Sequence, residues 1–466
     1  MKLILFISAL LLAIVAGSCK KDTFITSSSA VLNLSDDSLA FDTLFTTTGS
    51  TTHYFKIFNN NNQKLRISQI ALKKGSSSFF RLNADGMEGP VVSNLDVEAD
   101  DSIYVFVTVQ IDPSQADLPF IIEDSIQISY NGNDKWVPLS AWGQNAVFMK
   151  NSVIAGDTTW TNQKPVVITG PLLVAEGATL TIQKGTRVFL HADAPFVVDG
   201  TLIAHGEKYD STKIIFQGDR LDQYYRDYPG AWPGVYFRET TINNSLKHVV
   251  IKNAYQGIVI QSPAGDAGTA LKMEQCIIDN CYDAGILAVN ASIEAVNCLI
   301  SNCGKNVFLA GGGNYRFTHC TDVAVSNNYI AHKQPVLAIT DYIKEGDVLV
   351  TAATKAAFVN CIFWGNNGTV DDEVVTAREG NDNFDVTFTN CLWKLVNVPS
   401  DVNASGMISS DDPLFQEIET AKNQYDFHPG DGSPAIDAGV NAGVATDLEE
   451  NERQNIPDIG AYETSF

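Results

Sequence analysis

One segment of the chain, residues 218–237 (GDRLDQYYRDYPGAWPGVYF), concentrates aromatic and charged side chains beyond what a simple turn requires. Aromatic rings beside charged groups suit stacking on sugar rings and hydrogen bonding to sugar hydroxyls. The candidate glycan contacts in this segment are Tyr224, Tyr225, Tyr228, Trp232, Asp219 and Arg220. The alternative interpretation is a loop that packs on the flank of its domain, with Trp232 and Tyr236 turned inward.

Residues 366–385 form an acidic segment that contains the carboxylates Asp371, Asp372, Glu373, Glu379, Asp382 and Asp385. Oxygen ligands of this kind bind Ca²⁺. Their spacing matches no calcium-loop pattern, so a solvated insertion is the favoured interpretation and a Ca²⁺ site the weaker alternative. The seven histidines show no paired spacing, which predicts neither a metal site nor a catalytic triad. We therefore expect no resident cofactor.

The elements that must position these side chains are indicated by a repeat. Beyond residue 151, short apolar runs are broken by glycines at close intervals. Cys276 precedes Cys298 by 22 residues, Cys298 precedes Cys320 by 22, and Cys281 precedes Cys303 by 22. A strand of a few residues followed by a turn, repeated at a fixed period, is typical of one coil of a solenoid.

Other residue types keep the same register. The recurring residues are Ile251, Ile278 and Ile300 at one inward position, and Asn253, Asn280 and Asn302 two residues later. A period near 22 suits a three-sided parallel β-helix, whose coils lie about 4.8 Å apart. Stacked Asn side chains can hydrogen-bond along the axis and satisfy the backbone groups of the turns.

With this register the chain resembles the pectate-lyase-like superfamily of right-handed parallel β-helices. The resemblance implies an all-β solenoid over residues 151–466. A leucine-rich repeat would show Leu at fixed offsets and a helical arc, and neither is present. The repeat cysteines are expected to be buried, unlinked thiols, because side chains on stacked parallel strands point the same way and fit disulfide geometry poorly.

The C-terminal sequence carries a second resemblance. SPAIDAG (433–439) and PDIGAYE (457–463) are similar to the terminal segment of many bacterial β-helix proteins. The charged residues of this region are Asp447, Arg453, Asp458 and Glu463. They could form a catalytic cluster, but buried ion pairs in a cap over the open end of the solenoid are the favoured interpretation.

Residues 31–148 read as short alternating strands separated by turns, which predicts an antiparallel β-sandwich. This region resembles the immunoglobulin-like modules that precede β-helices in Bacteroidetes surface proteins. It carries no catalytic motif, so a spacer role is expected.

The N-terminus predicts export. A short positive start and an apolar run too short to span a bilayer indicate a signal peptide over residues 1–18. The sequence VAGSC around Cys19 resembles the lipobox of bacterial lipoproteins, which implies lipidation at Cys19. Residues 19–30 resemble the flexible tether of Bacteroidetes envelope lipoproteins. We therefore expect a lipid-anchored protein of the bacterial cell envelope, at the outer membrane.

A net charge of −23 argues against nucleic acid as a partner, since phosphate binding needs a positive surface. The membrane is expected as a partner through the lipid alone.

Three functional hypotheses remain. The first is a binding or adhesion module for polysaccharide; the second is a polysaccharide lyase or glycoside hydrolase; the third is a purely structural surface protein. The lyase and polygalacturonase motifs of the resembled superfamily are not recognisable, so whether the chain is an enzyme stays open. Acidic, basic and aromatic side chains converging in one groove would favour an enzyme, and an aromatic strip alone would favour binding.

Overall fold

The computed structural model describes residues 23–45, 52–110, 120–223, 225–261 and 268–464. Apart from two short 3-10 helices, the regular structure in these ranges is β-strand, so the predicted all-β class is confirmed. No helix among these residues is long and apolar enough to cross a membrane. The chain divides into two compact units, residues 1–145 (unit 1) and 146–466 (unit 2).

The described part of unit 1 forms two sheets. Its elements are β1 (Phe24–Ile25), β2 (Leu32–Leu34), β3 (Leu39–Phe45), β4 (His53–Asn59), β5 (Lys64–Leu72), η1 (Gly75–Ser77), β6 (Phe80–Ala84), β7 (Met87–Glu88), β8 (Val91–Val97), β9 (Asp101–Val109), β10 (Phe120–Tyr130) and β11 (Asn133–Gln144). One sheet has the order β1-β5-β10-β11-β3 with β8 beside β5, and the other has the order β2-β4-β9-β6-β7. Most pairs are antiparallel, but β1 with β5 and β3 with β11 are parallel.

Alternation of apolar and polar residues places one face of each strand inside unit 1. In β4, Phe55 and Ile57 are fully buried, whereas Tyr54 on the other face is exposed. The inward side chains of both sheets form one continuous core. Burial of each large side chain contributes about 1.5–3 kcal/mol, which is what holds the two sheets together.

Unit 2 contains thirty strands and one 3-10 helix among its described residues. They are β12 (Val147–Ile154), β13 (Thr158–Trp160), β14 (Val166–Val174), β15 (Thr179–Gln183), β16 (Arg187–Leu190), β17 (Phe196–Val198), β18 (Thr201–His205), β19 (Ile214–Gly218), β20 (Val235–Phe237), β21 (Asn244–Lys247), β22 (Val249–Lys252), β23 (Gln256–Ile260), β24 (Leu271–Glu274), β25 (Ile277–Asp279), β26 (Ala284–Val296), β27 (Leu299–Ser301), β28 (Lys305–Thr318), β29 (Thr321–Val325), β30 (Leu337–Thr340), β31 (Tyr342–Glu345), β32 (Val348–Thr351), β33 (Thr354–Val359), β34 (Ile362–Asn366), β35 (Val374–Ala377), β36 (Phe384–Thr389), β37 (Leu392–Trp393), β38 (Asn403–Ser405), β39 (Ile408–Ser409), β40 (Phe415–Glu419), η2 (Thr420–Lys422) and β41 (Gln424–Pro429).

Twenty-six of these strands, β12–β30 and β33–β39, form one large sheet with parallel pairing. Each strand pairs with the equivalent strand of the next coil, which produces three ladders. Ladder A contains β13, β15, β18, β21, β24, β26, β28, β33, β36 and β38; ladder B contains β12, β14, β16, β19, β22, β25, β27, β29, β34, β37 and β39; ladder C contains β14, β17, β20, β23, β26, β28, β30 and β35. The arrangement is compatible with the predicted solenoid.

The predicted register is confirmed in ladder B. Ile251 pairs with Ile278, and Ile278 pairs with Ile300, 22 residues further on; all three are buried. Longer separations mark coils with insertions. Ile203 pairs with Ser245, and the aromatic segment 218–237 lies within this longer coil.

The corners of the coils are made by residues in the left-handed backbone conformation. The corner between ladders B and C contains Asn253, Asn280 and Asn302, with φ of 62°, 54° and 52°. The corner between ladders A and B contains His248, Gln275, Asn297, His319, Asn360 and Asn390, with φ of 48° to 54°. Asn suits these corners because its short polar side chain tolerates this conformation better than most L-residues.

The predicted state of the repeat cysteines is confirmed. Immediately after the A–B corner, successive coils carry Cys276, Cys298, Cys320, Cys361 and Cys391, which are free thiols with at most 2% exposure. These thiols form a column, because the strands that follow them pair in register.

The C-terminal segment 433–463, here called the clasp, runs along the outside of the A–B corner. Its hydrogen bonds to the corner side chains are Val440 O with Asn360 Nδ2 (2.7 Å), Thr446 O with Asn297 Nδ2 (2.6 Å), Asp447 O with Gln275 Nε2 (2.8 Å) and Glu450 Oε1 with His248 Nε2 (3.0 Å). A cap over the open end was expected, whereas these contacts are with successive coils along the side.

The charged residues of the clasp have a structural role. Arg453 Nη1 lies 3.0 Å from Glu463 Oε2, and both side chains are 2% exposed. Asp447 and Asp458 are fully buried and accept hydrogen bonds from backbone N–H groups, including those of Glu463 and Thr464. The prediction of buried ion pairs is therefore confirmed for Arg453 with Glu463, whereas the two Asp side chains bind backbone groups instead.

Candidate functional site

The aromatic segment is the excursion of the chain between β19 and β20. Ala231 N donates to Asn253 O at 2.9 Å, which ties the end of the excursion to the B–C corner. Gly234 has φ of +136°, and a side chain there would collide with the carbonyl oxygen of Gln256. Glycine is therefore required where the excursion rejoins the coil.

Trp232 anchors this excursion and is not available to a ligand. Its ring is 1% exposed, and its indole nitrogen donates to Lys252 O at 3.0 Å. The prediction that Trp232 contacts a glycan is wrong, because a buried ring cannot stack on a sugar. Tyr236, the other residue that the packing interpretation turned inward, is half-buried and donates to Pro233 O at 3.2 Å.

Two rings of the segment remain accessible. Tyr225 and Tyr228 are 46% and 49% exposed, and their ring centroids are 5.7 Å apart. Tyr228 also lies 5.1 Å from the half-buried ring of Tyr329, which follows β29. We call these three rings the tyrosine strip. Tyr224 lies outside the described residues.

The two charged candidates have different environments. Arg220 Nε donates to Asp222 Oδ1 at 2.9 Å, and its guanidinium carbon lies 3.9 Å from the centre of the Tyr225 ring. This cation–π contact stabilises one end of the tyrosine strip. Asp219 lies 2.8 Å from His191 Nδ1, and burial raises the pKa of the Asp219 carboxyl. Arg220 thus supports the strip, while Asp219 belongs to a neighbouring pair.

Sequence reasoning missed a second pair of rings. Tyr255 and Tyr282 are stacked with centroids 5.7 Å apart, and they are 47% and 55% exposed. Each follows an Asn of the B–C corner by two residues, so the repeat itself placed them one above the other.

Beside the tyrosine strip lies a cavity of about 240 Å³, here called the asparagine pocket. Four parts of unit 2 line it: the B–C corner, the aromatic segment, the loop after β29, and the hairpin of β40 and β41. The lining residues are Arg226, Asp227, Lys252, Asn253, Asp279, Asn280, Asn302, Asn327, Tyr329, Lys422, Asn423 and Tyr425. Acidic, basic and aromatic side chains therefore converge in one cavity.

The corner asparagines hold the aromatic segment in place. Asn253 Nδ2 donates to Arg226 O at 2.6 Å, and Asn280 Nδ2 donates both to Asp227 O at 2.8 Å and to Asn253 Oδ1 at 2.9 Å. The predicted hydrogen bond between stacked Asn side chains is thus confirmed for this pair. These bonds fix the orientation of both amides, since each amide nitrogen donates to an oxygen and Asn253 Oδ1 accepts from Asn280.

Asp279 is an acidic residue of the pocket whose pKa is shifted. Burial raises the pKa of its carboxyl, although Ser301, Asn302 and the nearby Lys252 lower it in part. Ser301 Oγ donates to Asp279 Oδ1 at 2.7 Å and Asn302 Nδ2 donates to the same oxygen at 3.4 Å. A carboxyl with a raised pKa can hold a proton closer to neutral pH than an exposed Asp can.

Three polar atoms of the pocket residues have no hydrogen-bond partner within the described ranges: Asn280 Oδ1, Asn423 Oδ1 and Tyr425 Oη. All three are buried. An unpaired buried polar atom costs about 1–3 kcal/mol. Such atoms are rare in folded proteins, and three of them belong to residues that line this one cavity.

The acidic residues of the segment 366–385 do not come together as a Ca²⁺ site would require. Glu373 is buried and lies 2.8 Å from His332 Nε2, whereas Asp372 accepts hydrogen bonds from Val396 N and Asn397 N. Across the described ranges, no group of three or more His, Cys, Asp or Glu side chains is placed to hold a metal ion.

Unit 1 holds a larger cavity of about 640 Å³, whose lining includes Phe80, Arg81 and Phe106. It borders Thr52, next to residues 46–51, which lie outside the described residues. We therefore assign no site to it.

No protein-family model matches the chain, and no curated protein matches it. Among solved structures, a family 123 glycoside hydrolase from Clostridium perfringens is 11% identical with a TM-score of 0.18, over 25% of this chain and 26% of that chain. PapD-like domain 7 of human CEP192 is 11% identical with a TM-score of 0.17, over 27% of this chain and 92% of that chain. The chain spans about a quarter of the hydrolase. Neither likeness carries an argument about this protein.

Proposed function

We propose that the protein binds carbohydrate at the bacterial cell envelope, through the tyrosine strip and the asparagine pocket. The observation that carries this proposal is their adjacency: Tyr329 belongs to both, so accessible rings continue into a cavity rich in hydrogen-bonding groups. Rings that stack on a sugar and polar groups that bond its hydroxyls are the two features a glycan site needs.

The fold and the anchor belong to the same proposal. Unit 2 is a right-handed parallel β-helix of the pectate-lyase-like type; three parallel ladders and the 22-residue register support this assignment. Unit 1 is an immunoglobulin-like spacer, supported by two sheets that enclose one core. The protein is held at the outer membrane by a lipid on Cys19, a residue outside the described part of the chain; the lipobox-like sequence supports this step.

The test is binding of the full chain, in detergent, to a panel of immobilised polysaccharides. Tyr228→Ala should weaken retention about fivefold or more, corresponding to roughly 1 kcal/mol for an aromatic contact. Tyr209→Ala is the matched control, because Tyr209 is 64% exposed and lies outside the site. Equal loss in both variants, or retention by neither variant nor the wild type, would refute the proposal.

Cleavage of the bound glycan is the second candidate, and the convergence of charged and aromatic groups favours it. Asp279 would be the general acid, since its carboxyl has a raised pKa. Binding remains the first candidate function because neither lining carboxylate is free for catalysis. Asp227 is paired with Arg226 at 3.3 Å, and one oxygen of Asp279 already accepts two hydrogen bonds. New reducing or unsaturated ends that disappear in Asp279→Asn would establish cleavage. A purely structural role predicts neither retention nor products.

A further inference from the structure

We propose that the asparagine pocket selects a neutral, hydroxyl-rich sugar unit over a uronic acid or another anionic sugar. This inference rests on the proposed carbohydrate binding and names the class of sugar. It follows from which polar atoms lack partners and which charges are already paired.

Asn280 carries an acceptor oxygen whose orientation is fixed. Its side chain is 9% exposed, and both of its described hydrogen bonds use the amide nitrogen, to Asp227 O and Asn253 Oδ1. The amide cannot be turned over without losing both bonds, so Oδ1 is fixed as an acceptor. This oxygen has no donor in the described ranges. The oxygen is covered in the free protein, so neighbouring groups must shift before a ligand reaches it, and the group that then satisfies it must donate a hydrogen, as a sugar hydroxyl does and an ionised carboxylate does not.

The hairpin of β40 and β41 also carries polar atoms that lack hydrogen-bond partners in the described part of the chain. Asn423 Oδ1 and Tyr425 Oη are also buried without partners among the described residues. Burial raises the pKa of Tyr425, although the neighbouring Asn327 lowers it in part, so its phenol stays protonated at neutral pH and can both donate and accept. Both side chains are half-buried, and a small rotation of either is needed to open these atoms to a ligand. A hydroxyl satisfies an amide oxygen and a phenol at once.

The positive charges that line the pocket are already close to acidic groups. The cations of the lining each lie beside an acid: Arg226 is 3.3 Å from Asp227, and Lys422 is 2.5 Å from Glu419. Lys252 is close enough to act on the carboxyl of Asp279. An anionic sugar would meet carboxylates without gaining an unpaired cation from these three residues. The net charge of −23 adds a further repulsion at low ionic strength.

The experiment compares neutral galacto-oligosaccharides with galacturono-oligosaccharides of equal length, using the full chain in detergent at two salt concentrations. We expect the neutral series to bind at least tenfold more tightly at low salt, and the difference to narrow at high salt. Tyr425→Phe, which removes only the hydroxyl, should weaken neutral binding up to about tenfold. Its melting temperature should stay equal or rise, because an unpaired buried polar group is lost.

Tyr282→Phe is the matched control, since Tyr282 is 55% exposed and does not line the pocket. Equal or tighter binding of the uronic series overturns the inference, and so does unchanged neutral binding in Tyr425→Phe. Uronic binding that still depends on Tyr228 would leave the proposed function standing while the inference fails. Absence of binding to both series, and to the polysaccharide panel, overturns the two together.

Discussion

The indole nitrogen of Trp232 donates a hydrogen bond of 3.0 Å to the carbonyl oxygen of Lys252. Since the ring is also buried, Trp232→Ala should lower the free energy of unfolding by about 3–5 kcal/mol. Trp232→Phe should lower it less, because most of the buried area remains. Thermal unfolding measures both changes. Tyr228→Ala is the control and should leave the melting temperature nearly unchanged; similar losses in the two Ala variants would contradict the assignment of Trp232 as the anchor.

Asp322 occupies an inward position, paired with Ile300 in one coil and Phe363 in the next. Neither carboxylate oxygen makes a hydrogen bond of good geometry among the described residues, and burial raises the pKa of this carboxyl well above its usual value, although the neighbouring Asn306 lowers it in part. We predict that Asp322→Leu stabilises the protein, because an apolar side chain suits this position.

The gain from Asp322→Leu should depend on pH. The folded state keeps the Asp322 proton to higher pH than the unfolded state, so the wild type loses stability as pH rises above the unfolded pKa of about 3.9. The difference in melting temperature between variant and wild type should therefore be larger at pH 8 than at pH 4.5. The exposed Asp431→Leu should show no such trend. A pH-independent difference for Asp322→Leu would count against a proton held by Asp322.

Arg453 and Glu463 form a buried pair at 3.0 Å. Glu463→Gln removes the carboxylate that is paired directly with Arg453 and should lower the free energy of unfolding by about 3–5 kcal/mol. The double change Arg453→Met with Glu463→Gln should recover part of this loss, since the ion pair is then removed as a unit while Asp447 and Asp458 keep their backbone hydrogen bonds. Thermal unfolding of Glu463→Gln, Arg453→Met and the double variant measures the three losses of stability. If the double variant is as unstable as the sum of the single ones, the two charges do not act as a pair.

The thiols of the cysteine column should remain unlinked. Alkylation of the unreduced protein followed by mass spectrometry should find Cys276, Cys298 and Cys320 carrying the alkyl group once the protein is unfolded. Their side chains point the same way from stacked parallel strands, which fits disulfide geometry poorly. A bridge between Cys276 and Cys298 would contradict both the burial and the geometry.

Cys19 should carry the lipid, because it is the thiol at the predicted cleavage site. Cys19→Ala should abolish lipid attachment and release the protein from the membrane fraction. Mass spectrometry of the N-terminal peptide and fractionation measure the two effects. A Cys19→Ala protein that retained the lipid would rule out this assignment.

The periodic part of the fold was predictable because its information is local. The spacing of Ile251, Ile278 and Ile300 set the register of ladder B, and the same spacing foretold the hydrogen bond between Asn253 and Asn280. One inward residue per coil must repeat if a continuous core is to form, so the sequence itself carries the period.

The candidate site was predicted only in part because its insertions follow no period. The segment 218–237 was identified by composition, but composition does not reveal which rings turn inward; of the two interpretations of Trp232, the inward one is confirmed and the glycan contact is wrong. Tyr425 was missed altogether. It reaches the pocket on a hairpin far along the chain from the corner asparagines, and no local pattern predicts such a contact.

The clasp has a consequence for the order of folding events. Glu450 contacts His248 across 202 positions of the chain, and Asp447 contacts Gln275 across 172. Neighbouring coils can pair early in synthesis, because they are close in the chain. The clasp residues that bind the corner side chains are synthesised last. Closing loops of this length is slow compared with adding a neighbouring coil. Until the clasp is in place, the A–B corners from His248 to Asn390 therefore lack the hydrogen bonds that join one coil to the next from outside.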